Sequence, residues 1–320
     1  MTTIDKLGER ALIRRLGRLL PGNGTVVTGI GDDCAVVRTG ANCDHDLVLT
    51  SDPVIEGVHF RPGEKPGLVG RKAAGRVLSD LAAVGADPLW ALVDLVVPRD
   101  RPVSGIEGIY RGLAGMASRH GLAIVGGDTA SGPVLELHVF AVGMVPRGCA
   151  VLRSGAKPGD TLFVTGTLGA SLSGRHLRFD PRLEQGRWIR EQGWASAMID
   201  LSDGLASDLR RVVEMSGVGA VIEACSIPLS AVASKRRDGM TPLDHALYDG
   251  EDYELLLTVP AKRANAFEIA WRKKFDLRLS RIGVITSDRG VVCCTAVDGK
   301  SGVLKDGGYE HFVGCHAKSR

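Results

Sequence analysis

Apolar side chains recur every three to four positions over residues 4–20 (Leu7, Ala11, Leu12, Leu16, Leu19). The pattern stops at Pro21-Gly22, so the stretch predicts an amphipathic helix. Short apolar runs at 34–37 and 47–50 predict strands, and the run 68–84, rich in Ala and other small residues, predicts a helix. A strand at 89–97, a helix at 105–120 and strands at 122–125 and 135–145 follow. Strands and helices mix here without strict alternation, which favours a mixed sheet with helices on one face over a parallel Rossmann sheet. The stretch 146–160, with Ser154-Gly155-Ala156-Lys157-Pro158-Gly159-Asp160 as linker and turn, interrupts the pattern. It restarts with strand 161–164, helix 181–192, strand 198–201 and helix 205–215. Strands 220–223 and 253–259, helix 262–274 and strands 279–285 and 291–294 complete it. The expected fold class is α/β of the α+β kind, in two domains, 1–147 and 148–320.

Composition narrows the function. A chain of 320 residues with 44% hydrophobic content can bury a large core. The formal charge is +3, from 40 basic and 37 acidic residues, and aromatic content is 5%. Basic patches with interleaved aromatics are absent from the sequence, so a nucleic-acid partner is not expected. The first residues read as a charged amphipathic helix and not as a signal peptide. The most apolar stretch, 81–98, is broken by Asp87, Pro88 and Asp94, so no membrane span is expected. Seven cysteines, an odd number without CxxC spacing, read as free thiols of a reducing cytoplasm. The 42 glycines are nearly twice the usual share; turns account for part of them, and close backbone approach to a ligand for the rest.

Chemistry concentrates in five short Asp-bearing segments. They are Gly31-Asp32-Asp33, Thr50-Ser51-Asp52, Ser79-Asp80, Gly126-Gly127-Asp128 and Asp200-Leu201-Ser202-Asp203-Gly204. Any one Asp could cap a helix or close a turn. Five such segments beside apolar elements predict instead one cavity of carboxylates, which would repel one another unless divalent cations neutralised them. The two Ser-Asp pairs, at 79–80 and 202–203, also suggest a strand–SD–helix unit echoed between the halves. Walker A and protein-kinase motifs are missing from the sequence. Phosphate binding would then rest on Mg²⁺, loop amides and a few cations, of which Arg153 is the best placed.

Several runs resemble the thiamine-monophosphate kinases, a branch of the aminoimidazole ribonucleotide synthetase superfamily. They are Gly29-Ile30-Gly31-Asp32-Asp33-Cys34-Ala35-Val36, Glu56-Gly57-Val58-His59-Phe60, the segment 78–88 and Gly126-Gly127-Asp128-Thr129. In the second half they are the segment 153–160, Ile199-Asp200-Leu201-Ser202-Asp203-Gly204-Leu205, Gly250-Glu251-Asp252-Tyr253-Glu254-Leu255 and Gly308-Tyr309-Glu310-His311-Phe312. The resemblance implies that superfamily's two-domain fold, with an N-terminal ATP/Mg-binding and dimerisation domain and a C-terminal α/β domain completing the site. It implies several Mg²⁺ ions on Asp33, Thr50, Ser51, Asp52, Asp80, Asp128, Asp200 and Asp203. ATP or its metals would meet Asp33, Asp80, Tyr110, Gly127, Asp128, Arg153 and Ser202. Thiamine monophosphate would meet His59, Glu251 and Tyr309, and a homodimer would form through the N-terminal sheets. The chain departs from the family pattern at Pro53, Val77, Ser131 and Asp249.

The expected reaction is transfer of phosphate from ATP to thiamine monophosphate, directly and in line. The acceptor is a phosphate oxygen whose second pKa is about 6, so it needs no general base. Alternatives are another ATP-dependent enzyme of the superfamily, or a nucleotide-binding regulator that has lost catalysis. Selenophosphate synthetase would need a reactive Cys in a Gly-rich N-terminal loop, and the hydrogenase-maturation branch a C-terminal Cys, whereas Cys315 lies five residues short of the end.

Overall fold

The computed structural model describes residues 3–296 and 298–312. The first half contains α1 (Ile4–Leu7), α2 (Glu9–Gly17), β1 (Val26–Thr28), β2 (Ala35–Val37), β3 (His45–Ile55) and α3 (Pro66–Ala83). It continues with β4 (Asp87–Val97), α4 (Val103–Arg119), β5 (Ala123–Gly126), β6 (Thr129–Ser131) and β7 (Glu136–Pro146). Its sheet runs β1-β2-β3-β7-β4-β5, with β6 also on β4. The long strands β3, β7 and β4 are antiparallel neighbours, and β5 and β6 join β4 in parallel, so the sheet is mixed.

Alternation along the three long strands sorts the sheet into two unlike faces. Val48, Val93, Leu95, Leu137, Val139 and Ala141 are buried in the core that also contains residues of α3 and α4. Trp90, Leu92 and Phe140 point the other way and are 49%, 42% and 36% exposed, which leaves an apolar face uncovered in the single chain. The two helices pack backbone to backbone: a Cβ on Gly70 would lie 1.8 Å from the carbonyl oxygen of Ile109.

The second half contains β8 (Thr161–Thr165), α5 (Leu183–Glu191), β9 (Ala197–Asp200), α6 (Leu205–Ser216), β10 (Gly219–Glu223) and α7 (Pro242–Tyr248). It ends with β11 (Leu255–Val259), α8 (Ala261–Lys274), β12 (Leu279–Thr286), β13 (Val292–Thr295) and β14 (Ser301–Val303). The sheet order is β14-β13-β10-β12-β8-β11-β9. Met198, Leu257, Phe267 and Trp271 share one core with Val77, Leu78 and Leu81 of α3. Helix α3 therefore packs on its own sheet and also on α5 and β9. This helix positions the site.

The structure corrects some sequence expectations. Residues 4–20 form two helices, because Gly8 at φ +76° breaks the run. Ser79-Asp80 lies inside the last turns of α3 and not between a strand and a helix, so the echoed strand–SD–helix unit does not exist in the first half. Asp203 precedes α6 but does not cap it; its carboxylate turns to Arg211. The six described cysteines are free, and Cys315 lies outside the described residues. No helix among the described residues is long and apolar enough to cross a membrane.

Candidate active site

Three of the acidic segments meet where α3 and β9 end. Asp33, Asp80 and Asp200 bring carboxylate oxygens within 4.8 Å of one another. Each is held from a different direction. Thr50 of β3 donates its hydroxyl hydrogen to Asp80, and Ser79 of α3 donates to Asp200 at 2.5 Å. Arg153 forks onto Asp33 through Nη2 at 2.7 Å and Nε at 3.1 Å, while its Nη1 donates to the carbonyl of Gly31 at 3.0 Å. Burial, then the neighbouring carboxylates, push Asp80 well above the usual carboxylate range, and burial, then Asp33, do the same to Asp200. Asp32 next door is pushed up to about 6 by burial and by Asp33. Buried oxygen donors this close, costly to ionise together, suit a hard divalent cation such as Mg²⁺.

The second feature grows from the loop after β9. Its carbonyls serve as a template: Leu201 accepts from the Tyr253 amide at 2.8 Å, Ser202 from Glu251 at 2.7 Å and Asp203 from Tyr309 at 2.9 Å. The acidic loop thereby fixes the two segments expected to meet the acceptor. Only glycine fits at 250, where φ is +73° and a Cβ would sit 2.7 Å from the Ser202 carbonyl. Glu251 and Tyr253 also adopt positive φ, +55° and +51°, a strain that their two amide hydrogen bonds to the loop sustain.

Glu251 ends in a buried knot of charge. The Lys72 ammonium, fully buried on α3, donates to Glu251 Oε1 at 2.6 Å and to the His59 carbonyl at 2.6 Å, and lies 2.9 Å from His176 Nδ1. Nδ1 of His176 is also 2.9 Å from Glu251 Oε2. Burial tends to raise Glu251, but the hydrogen bond from His176 and the charge of Lys72 outweigh it and hold the carboxyl far below its usual range. Burial lowers Lys72 to about 8, against the pull of Glu251. His59 is lowered to about 3 by burial and by Arg76 and Lys72, so its ring is neutral near pH 7. Since Nδ1 accepts from the Ile55 amide at 3.0 Å, the ring proton sits on Nε2.

Both features open into one cavity of about 230 Å³. Of the residues expected from sequence, Asp33, Thr50, Ser51, Asp52, Asp80 and Asp200 line it on the acidic side. Arg153, Ser202, Asp203, His59, Glu251 and Tyr309 line it as well. Besides Asp33 and Glu251, Asp52 and Asp203 also carry a cationic partner, Asp52 in Arg76 at 2.7 Å and Asp203 in Arg211. Tyr110, Gly127 and Asp128 do not line the cavity. Tyr110 is packed against the first core from α4, and Gly127-Asp128 runs beside β4, where Leu95 donates to the Asp128 carbonyl at 2.9 Å. Sequence reasoning missed Lys72, Arg76, His176 and Tyr253. The available signal was on α3, where Lys72, Arg76 and Asp80 recur every four residues in a stretch otherwise dominated by Ala, Gly, Val and Leu.

Comparison places this architecture. The family model "AIR synthase related protein, N-terminal domain" matches residues 31–145, and its C-terminal counterpart matches 157–293. Two mixed-sheet domains with an acidic cavity between them define a protein of the AIR synthase related class. The thiamine-monophosphate kinase of Escherichia coli (strain K12) is 37% identical, with 96% of this chain and 98% of that protein aligned. That of Aquifex aeolicus (strain VF5) is 34% identical over 97% and 99%. The solved structure of AaThiL complexed with AMPPCP and TMP superposes with a TM-score of 0.83 at 33% identity, covering 97% of this chain and 99% of that one. The chain belongs to the thiamine-monophosphate kinase family.

Proposed function

We propose that the protein transfers the γ-phosphoryl group of ATP to the phosphate of thiamine monophosphate, giving thiamine diphosphate and ADP. One observation carries this reading: the Asp33/Asp80/Asp200 carboxylates and the Glu251 pocket, each suited to one substrate, face the same cavity. Asp33, Asp80 and Asp200 would hold Mg²⁺, with Thr50, Ser51, Asp52 and Asp203 as further expected ligands in the same cavity. Bound there, Mg²⁺ would offset the repulsion between two polyanionic substrates. Arg153 presents a partly buried guanidinium beside Asp33 for the nucleotide phosphates. Glu251, kept ionised by Lys72 and His176, meets the cationic thiamine ring, and Tyr309 offers a ring face to it. The neutral His59 ring offers its Nε2–H. A new bond forms between an acceptor phosphate oxygen and the γ-phosphorus, while the bond to the β–γ bridging oxygen breaks and ADP leaves with that electron pair. The acceptor oxygen is already ionised near neutral pH, so no residue need remove a proton.

The uncovered apolar face of the first sheet supports a homodimer through that face, in which Trp90, Leu92 and Phe140 would be buried. The division of labour between 1–147 and 148–320 belongs to the same proposal. The deciding experiment is incubation with ATP, Mg²⁺ and thiamine monophosphate, with products separated by chromatography. Formation of thiamine diphosphate and ADP in equal amounts is expected. Nucleotide binding without product would favour a regulator instead.

A further inference from the structure

Arg153 stands on Asp33 at one side of the carboxylate group; Arg76 stands on Asp52 at the side that faces Glu251. Arg76 lies four residues from Lys72 and four from Asp80 along α3, so the three share a face of the helix about 6 Å apart. Lys72 is largely committed, since it donates to the His59 carbonyl and to Glu251 and lies 2.9 Å from His176 Nδ1. Arg76 is not. Its Nη2 donates to Asp52 at 2.7 Å and its Nη1 to the Tyr253 hydroxyl at 3.2 Å, with Glu251 Oε1 3.6 Å away. Its buried Nε has no partner among the described residues. A guanidinium carries five N–H donors, so Arg76 has more donors than partners in the cavity wall.

We infer that Arg76 anchors the phosphate of the acceptor. This rests on the phosphoryl-transfer reading and adds to it the residue that recognises a phosphomonoester next to a cationic ring. Along α3 the order is Lys72 with Glu251, then Arg76, then Asp80. The ring, the phosphate it carries and the reacting end would fall in that same order, since a two-carbon tether joins thiazolium to phosphate. Planar fork geometry suits two phosphate oxygens, which an ammonium cannot match. Asp52 is itself an expected cation ligand, and once a cation takes it, Nη2 of Arg76 is released for the phosphate. Arg153 and Arg76 would then serve one polyanion each, from opposite sides of the carboxylates.

The test compares thiamine monophosphate with thiamine, which lacks the phosphate, as ligands in titration calorimetry with Mg²⁺ and AMPPCP present. Arg76→Gln should reduce the preference for the monophosphate by about tenfold or more and leave thiamine affinity within about twofold; Arg76→Lys should fall between. In turnover, KM for thiamine monophosphate should rise by a similar factor, with KM for ATP changed less than about threefold. Circular dichroism identifies folded variants, and if Arg76→Gln does not fold, Arg76→Lys carries the comparison. An unchanged preference in the folded variant overturns the assignment. Wild-type protein that makes no thiamine diphosphate overturns the parent reading and this one with it; wild-type turnover with an unchanged preference overturns this one alone.

Discussion

The Ser79 hydroxyl donates to Oδ2 of Asp200 at 2.5 Å, and this bond joins the helix of one domain to the strand of the other at the floor of the cavity. Both residues are buried, Ser79 at 1% and Asp200 at 2% exposure. Ser79→Ala would leave a buried carboxylate short of a donor, at a cost of about 1–3 kcal/mol. Urea unfolding of the two proteins checks this. A change within error would mean that the bond does not hold the domains in register.

Lys72 and Glu251 predict a non-additive pair. Removing the cation in Lys72→Met strands a mostly buried carboxylate, which should cost about 3–5 kcal/mol. Replacing both, as in Lys72→Met with Glu251→Leu, should recover much of that loss, because neither charge is then left alone. Thermal or chemical unfolding of the two singles and the double closes the cycle. The double variant should be stable yet fail to bind thiamine monophosphate, which separates folding from recognition.

These residues also mark what the sequence made legible. The acidic segments stood out because carboxylates beside Gly, Ser and Thr at element ends are rare as a series, and Asp33, Asp80 and Asp200 do converge. Long elements such as β4, β7 and α4 followed from their periodicity to within a few residues. Missed were β1 and β14, only three residues each, and β6, three small or polar residues whose pairing depends on the finished β4 edge. Helix α7 was missed despite a readable start, since Thr241 and Asp244 form a capping box with Pro242 in the first turn. The Lys72–Glu251–His176 knot joins positions far apart in sequence, and no local pattern encodes such a contact. Asp203 was expected at the site and lines the cavity, but its pairing with Arg211 eight residues on had no signal in the local sequence.

The exposed sheet face gives a prediction about assembly. Leu92 and Phe140 lie opposite each other in register between β4 and β7, near the middle of the apolar face. Phe140→Glu would bury a charge in a dimer through this face and should weaken association by about 100-fold or more. Sedimentation across a concentration series tests it. A variant that remains dimeric at the wild-type concentration would place the interface elsewhere.

The buried carboxyls predict an inverted pH dependence for cation-free protein. Burial raises Asp32 to about 6 and Asp208 and Asp252 to about 7, and it moves Asp80 and Asp200 well above their ordinary value. Between about pH 5 and 7 the folded chain therefore holds more protons on these groups than the unfolded chain, so stability falls as pH rises. His59, lowered to about 3, and His120, also lowered, act oppositely, because the unfolded chain protonates them first. Five carboxyls against two imidazoles leave a net loss of stability as pH rises from 5 to 7.5. Mg²⁺ on Asp33, Asp80 and Asp200 would neutralise part of that charge, so its stabilising effect should be larger at pH 7.5 than at pH 5. Asp200→Asn keeps an acceptor for Ser79 but removes one charge. It should raise cation-free stability at pH 7.5 and shrink the Mg²⁺-induced shift in Tm. Thermal unfolding at both pH values, with Mg²⁺ or with EDTA, measures all of this. A Mg²⁺ shift equal in wild type and Asp200→Asn would remove Asp200 from the cation site.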